Sequence, residues 1–279
     1  MATAFAPGKC ILFGEHAVVY GHPAVAVAID AGVEVKLELS EQWEIKNSHY
    51  TNTFVEFQAS KNPHIQHIIS EIFEYNDSPL KISIESNLFS AAGLGSSAAL
   101  SNAMGAALHH LTKPEEEINL IKLAKIGHSA EASAQGGRAS PTDSATSSLG
   151  GCIVVSGEKD KALRHVFDTS LATPEGKRSW SIHSIDLHKN INDAWLVLGF
   201  TGESSPTGDM VAGVANRLKE NPKLYNEMQA IENITKAGLT ALELGNLEAV
   251  GIAMNSCHEK LKILGVSSDS LDNMVSATR

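Results

Sequence analysis

The chain has 279 residues, enough for one large domain or two intimate ones, and its 43% hydrophobic and 19% charged residues describe a globular protein rather than a disordered one. A formal net charge of −10 argues against nucleic-acid binding, which calls for a basic face. No apolar run approaches the roughly 20 residues that span a bilayer, and the N-terminus lacks a charged segment followed by an apolar one, so no secretory signal is expected and a cytoplasmic location is.

In chain order, the first third reads mostly as strands. Residues 10–13, 16–20 and 24–29 are apolar runs punctuated by Gly14, Gly21 and Pro23. Residues 33–39 alternate polar and apolar, predicting a half-buried strand. Ile65, Ile68, Ile69, Ile72 and Phe73 carry helical spacing over 63–75, and 80–85 alternates again as a strand. Residues 98–111, rich in Ala and Leu without Pro, predict a helix. Pro114 and the acidic run 115–117 suit the first turn of a second helix, running to Ala134 and ended by Gly136-Gly137. Strands are expected at 150–155 and 194–200, then helices at 211–220, 222–245, 247–263 and from 268 onward. Strands early and helices late, without βαβ alternation, predict an α+β fold with an antiparallel or mixed sheet. The three cysteines, Cys10, Cys152 and Cys257, are odd in number and far apart, a pattern of reduced thiols rather than of disulfides or a zinc site.

The segment Gly93-Leu94-Gly95-Ser96-Ser97-Ala98 lies between a strand and a helix. Glycines there allow backbone N–H groups to converge on an anion, and the helix N-terminus adds its partial positive charge. Taken alone, the loop is evenly balanced between a phosphate site and a simple helix cap. It is neither a Walker A loop nor a dinucleotide fingerprint, because the required lysine or third glycine is absent. Taken alone, Lys9 reads as a surface lysine, Glu15-His16 as a polar turn, and Asp143 as a cap residue after Pro141.

Three segments together carry a resemblance: A-P-G-K-x-I-L-F-G-E-H-A-V-V-Y-G at 6–21, G-L-G-S-S-A-A at 93–99, and S-P-T-D-x-x-x-S-x-x-G-G at 140–151. In order and spacing they resemble the GHMP kinase superfamily, and within it the branch that phosphorylates mevalonate, in its compact archaeal form. A weaker match runs from Thr201-Gly202 to Thr207. The resemblance implies a two-domain fold: a ribosomal-protein-S5-like mixed sheet with helices over 1–155, and a ferredoxin-like α/β layer, incomplete here, over 156–279. It implies ATP-dependent phosphorylation of the mevalonate C5 hydroxyl with Mg²⁺, and is compatible with a homodimer. It further implies Asp143 and Lys9 at the reacting hydroxyl and residues 93–98 around the phosphates. Ser97 and Glu131 would be metal ligands, and Glu15, His16 and Thr207 would lie on the substrate side.

Three departures stand out. Phe89 replaces the family's usual proline four residues before the loop. Glu131 matches its counterpart only with one residue inserted around Gly136-Gly137-Arg138. A glycine-rich G-A-G-G-G-G segment expected after the last helix is not found before Arg279, which suggests an incomplete chain.

Overall fold

The computed structural model describes residues 1–89, 91–173, 176–191, 193–204 and 207–279, the side chain of Thr207 excepted. Eight strands form one sheet: β1 (Ala2–Phe13), β2 (Ala24–Leu39), β3 (Glu44–Asn47), β4 (Val55–Glu56), β5 (Leu80–Ser86), β6 (Cys152–Ser156), β7 (Arg164–Thr173) and β8 (Gly176–Ile185). Their order is β4-β3-β5-β2-β6-β8-β7, with β1 on β2. Only β3 with β5 is a parallel pair among these ladders. The sheet is therefore mixed, as expected.

The helices are α1 (Pro63–His67, continued as a π-helix over Ile68–Ile72), α2 (Ser96–Thr112), α3 (Leu120–Ala134), α4 (Thr142–Leu149), α5 (Thr207–Glu220), α6 (Tyr225–Glu243), α7 (Leu247–Ile263) and α8 (Asp269–Thr278). Burial explains how they cover the sheet. At the β5 end of β2, Val33, Val35 and Leu37 face inward against α1 and α2, while Glu34, Lys36 and Glu38 face away. One face is covered there, and the alternation is the record of it. At the other end every residue of β6 is buried. Ile153 and Val155 pack with Ala124 of α3 and Ala145 of α4, whereas Cys152 and Val154 pack with Leu239, Leu242 and Ala253 of α6 and α7. That end is a three-layer sandwich.

The structure corrects the sequence reading in several places. Residues 24–29 and 33–39 belong to one continuous strand. Residues 16–20 are not a strand, because Gly14 and His16 both take left-handed φ and turn the chain into a 3₁₀ helix over Ala17–Tyr20. Ala17 and Val18 then bury separately, in the helical and sheet cores. Helix α3 starts at Leu120 rather than at Pro114, because the Asn119 side chain accepts a hydrogen bond from the Lys122 N–H and caps it there. Residues 194–200 form no ladder among the described residues. The Ala194 N–H turns back to the Ile191 carbonyl, and Trp195 and Val197 are 92% and 87% exposed. The β7–β8 hairpin and the short helix α4 were not anticipated.

Candidate active site

Four elements converge: the middle of β1, the loop before α2, the middle of α3 and the first turn of α4. On β1 the pairing with β2 shifts register between Pro7 and Lys9. Such a bulge re-aims the side chain that follows it. The Lys9 N–H donates to the Leu94 carbonyl at 2.9 Å, stitching the strand to the glycine-rich loop. Gly8 makes this approach possible, since a Cβ there would lie 2.7 Å from Leu88 and 2.8 Å from the Leu94 carbonyl oxygen. Lys9 is 5% exposed. Its Nζ donates to the Gly93 carbonyl at 2.7 Å and stands 3.2 Å from Asp143 Oδ1.

The loop passes through left-handed φ at Ala91, Gly93 and Gly95, then enters α2 at Ser96. The N–H groups of the first turn of α2 have no intrahelical acceptor and point out of the helix end. Ser97, within this turn, donates through Oγ to Glu131 Oε1 at 2.7 Å. Glu131 is buried in α3, and its carboxyl is pushed up to about 8, first by burial and second by the neighbouring Asp143 charge; Ser97 and Lys9 act in the opposite direction. Asp143 remains accessible at 24% side-chain exposure. It belongs to α4, whose Thr142, Ser144, Ala145 and Thr146 are buried. Asn102 of α2 locks this helix by donating to the Ser144 carbonyl at 2.9 Å.

The cluster Lys9, Asp143, Ser97 and Glu131 thus holds one ammonium, one accessible carboxylate and a hydroxyl–carboxyl pair beside a helix N-terminus. Hard oxygens of this kind suit Mg²⁺, which takes few protein ligands and completes its shell from phosphate and water. Among the described residues no group of three His, Cys, Asp or Glu side chains could hold a metal alone.

Glu15 and His16 lie on the turn after β1. Burial raises the Glu15 carboxyl above its ordinary range, against its own backbone hydrogen bond, Lys9, the Cys257 thiol and His258. Burial lowers His16 to about 4, so its imidazole is neutral at physiological pH. Thr207 opens α5, and its side chain lies outside the described residues. Cys257 and His258 of α7, close to Glu15, escaped the sequence reading. They fall inside an ordinary amphipathic helix, and no local pattern signals them. A cavity of about 550 Å³ between α3 and the β7–β8 hairpin, lined by Lys125, Ser129, Thr169 and Ser179, holds none of the predicted site residues.

Residues 63–151 match the family model of the GHMP kinases N terminal domain. The mevalonate kinase of Pyrococcus furiosus is 32% identical, over 99% of this chain and 82% of its own. That of Methanothermobacter thermautotrophicus is 33% identical, over 100% of this chain and 83% of its own. Among solved structures, the Methanococcus jannaschii mevalonate kinase superposes with a TM-score of 0.69 at 24% identity, covering 98% of this chain and 82% of that one. The L. major mevalonate kinase in complex with R-mevalonate gives 0.70 at 20% identity, covering 99% and 79%. The structural likeness establishes the fold, and sequence identity above 30% along essentially the whole chain makes this protein a member of the mevalonate kinase family of the GHMP kinases.

Proposed function

We propose that the chain transfers the γ-phosphoryl group of ATP to the C5 hydroxyl of mevalonate, giving 5-phosphomevalonate and ADP. The observation that carries this reading is the Lys9–Asp143 pair, 3.2 Å apart and tied to the Gly93 carbonyl at the phosphate loop. A hydroxyl held against Asp143 gives up its proton to that carboxylate as its oxygen bonds to the γ-phosphorus. The bond from that phosphorus to the β-bridging oxygen breaks, and ADP leaves. Lys9 Nζ is placed to compensate charge on the attacking oxygen. Phosphoryl transfer needs mainly positioning and charge compensation, and the cluster supplies both.

In this reading residues 93–98 and the N-terminus of α2 hold the phosphates, and Ser97 with Glu131 binds Mg²⁺. When bound, the ion neutralises phosphate charge and orients the transferred group. Glu15 and His16 line the acceptor side, with Thr207 nearby. The same reading retains an N-terminal unit over 1–155 and a C-terminal unit over 156–279, the β7–β8 hairpin continuing the sheet of the first. No helix among the described residues is long and apolar enough to cross a membrane, and we place the activity in the cytoplasm.

An ADP-release assay with mevalonate, phosphomevalonate, galactose and homoserine tests the proposal. Turnover confined to mevalonate is expected. Turnover of another acceptor in its place would assign the chain to a different branch of the superfamily.

A further inference from the structure

We infer that Cys257 is a positioning residue for the acceptor side of the site, holding the Glu15 carboxylate and the turn that carries it. The inference rests on the functional reading above for its kinetic consequence, and on geometry alone for the contact.

Cys257 Sγ lies 3.8 Å from Glu15 Oε2, within reach of an S–H···O hydrogen bond. One side chain of α7 therefore reaches the turn that follows β1. The thiol is buried among Ala17, Val214, Leu218 and Leu261. Burial first, and Glu15 second, push it up to about 12, so it stays protonated and remains a donor. Glu15 thereby meets a neutral donor on α7.

The neighbouring His258 strengthens the arrangement. Its charge favours the ionised form of Glu15. Its Nε2 meets Asp272 Oδ1 at 3.0 Å, and Asp272 also takes Ser267 Oγ at 2.7 Å and Lys262 Nζ at 2.6 Å. Helix α8 is pinned to α7 by this set, at the turn of α7 that presents Cys257. An exposed ion pair alone would contribute little, but here several groups act on one short segment. An S–H donor is weak, which leaves the Glu15 carboxylate free to accept a substrate hydroxyl as well.

The test compares Cys257→Ser, which keeps a donor, with Cys257→Val, which keeps an apolar side chain of similar size and loses the donor. In steady-state kinetics Cys257→Val is expected to raise KM for mevalonate about fivefold or more, with kcat within about twofold of wild type and KM for ATP unchanged, as for loss of a uniform binding contact. Cys257→Ser is expected to restore KM to within about twofold of wild type. Equal impairment of the two variants, or none in either, would overturn the inference in favour of a packing role. A second readout needs no turnover. The infrared S–H stretch of Cys257, identified by its loss in Cys257→Ser, should lie at a hydrogen-bonded frequency in wild type and move to a free one in Glu15→Ala. An unmoved band overturns the contact. Absence of mevalonate turnover by wild type, with the band shift present, would defeat the functional reading while leaving the contact standing.

Discussion

Asp143 is the one carboxylate of the cluster that remains open to a ligand, and its role separates chemistry from binding. Asp143→Asn is expected to lower kcat by about 10²–10⁴-fold, the range for losing a positioned proton acceptor. ATP binding, measured with a fluorescent nucleotide, should change little, because the loop backbone proposed to hold the phosphates is untouched. Glu131 behaves differently. Its carboxyl is raised to about 8 by burial and by Asp143, so without metal it holds a proton at neutral pH. As the proposed Mg²⁺ ligand it would give up that proton on binding, and Mg²⁺ affinity is then expected to rise with pH up to about 8. The same shift governs stability. Below the ordinary carboxylate range, about 4.3, folded and unfolded chains are both protonated and the group contributes nothing. Between there and about 8 the unfolded chain has lost a proton that the folded chain keeps, so metal-free stability falls as pH rises. Glu131→Gln should remove this slope in thermal unfolding followed across pH, and raise the Mg²⁺ concentration for half-maximal activity by about tenfold.

Among the elements, the turn after β1 carries Glu15 and His16. Gly14 takes φ +91°, and a Cβ there would stand 2.2 Å from the Pro23 carbonyl oxygen and 2.6 Å from Ala24 Cα. Both contacts are with backbone, which cannot rotate away. Gly14→Ala should cost more than about 2 kcal/mol, read as a lower denaturant midpoint, and should displace Glu15 and His16. The element scale also shows where sequence patterns held and where they failed. Strand β5 and helices α2, α6 and α7 were legible because each keeps one periodic apolar face, or a dense run of helix formers. Residues 16–20 misled, because Ala17 and Val18 are buried by two separate cores and not by a ladder. Residues 194–200 misled as well, since an apolar run becomes a strand only where a neighbouring strand accepts its backbone hydrogen bonds. The β7–β8 hairpin stayed hidden because Phe167 is the one buried residue of β7, and polar and apolar residues mix along it.

At the scale of the whole molecule, Phe13 joins the sheet to the C-terminal helices. It is fully buried at the end of β1, and its ring lies where a Cβ on Gly238 of α6 would come within 2.7 Å of it. Phe13→Ala should cost about 3–5 kcal/mol, measured as a drop in denaturant midpoint with unchanged m-value, and should loosen α6 and α7 from the site. The sequence by itself determined an α+β chain ending in helices and a glycine-rich loop between a strand and a helix, because glycine placement, capping residues and periodicity are written in neighbouring positions. Lys9, Glu15-His16 and Asp143 were marked out only by the order and spacing of three distant segments that resemble the GHMP kinases. Only the tertiary structure decided that Lys9 and Asp143 face each other at 3.2 Å, that Ser97 bonds the buried Glu131, and that Cys257 reaches Glu15 across 242 positions of chain. Those contacts depend on a bulge in β1, on glycine-sized gaps and on cores shared by distant elements. Packing of this kind follows from the fold as a whole, and no stretch of neighbouring residues encodes it.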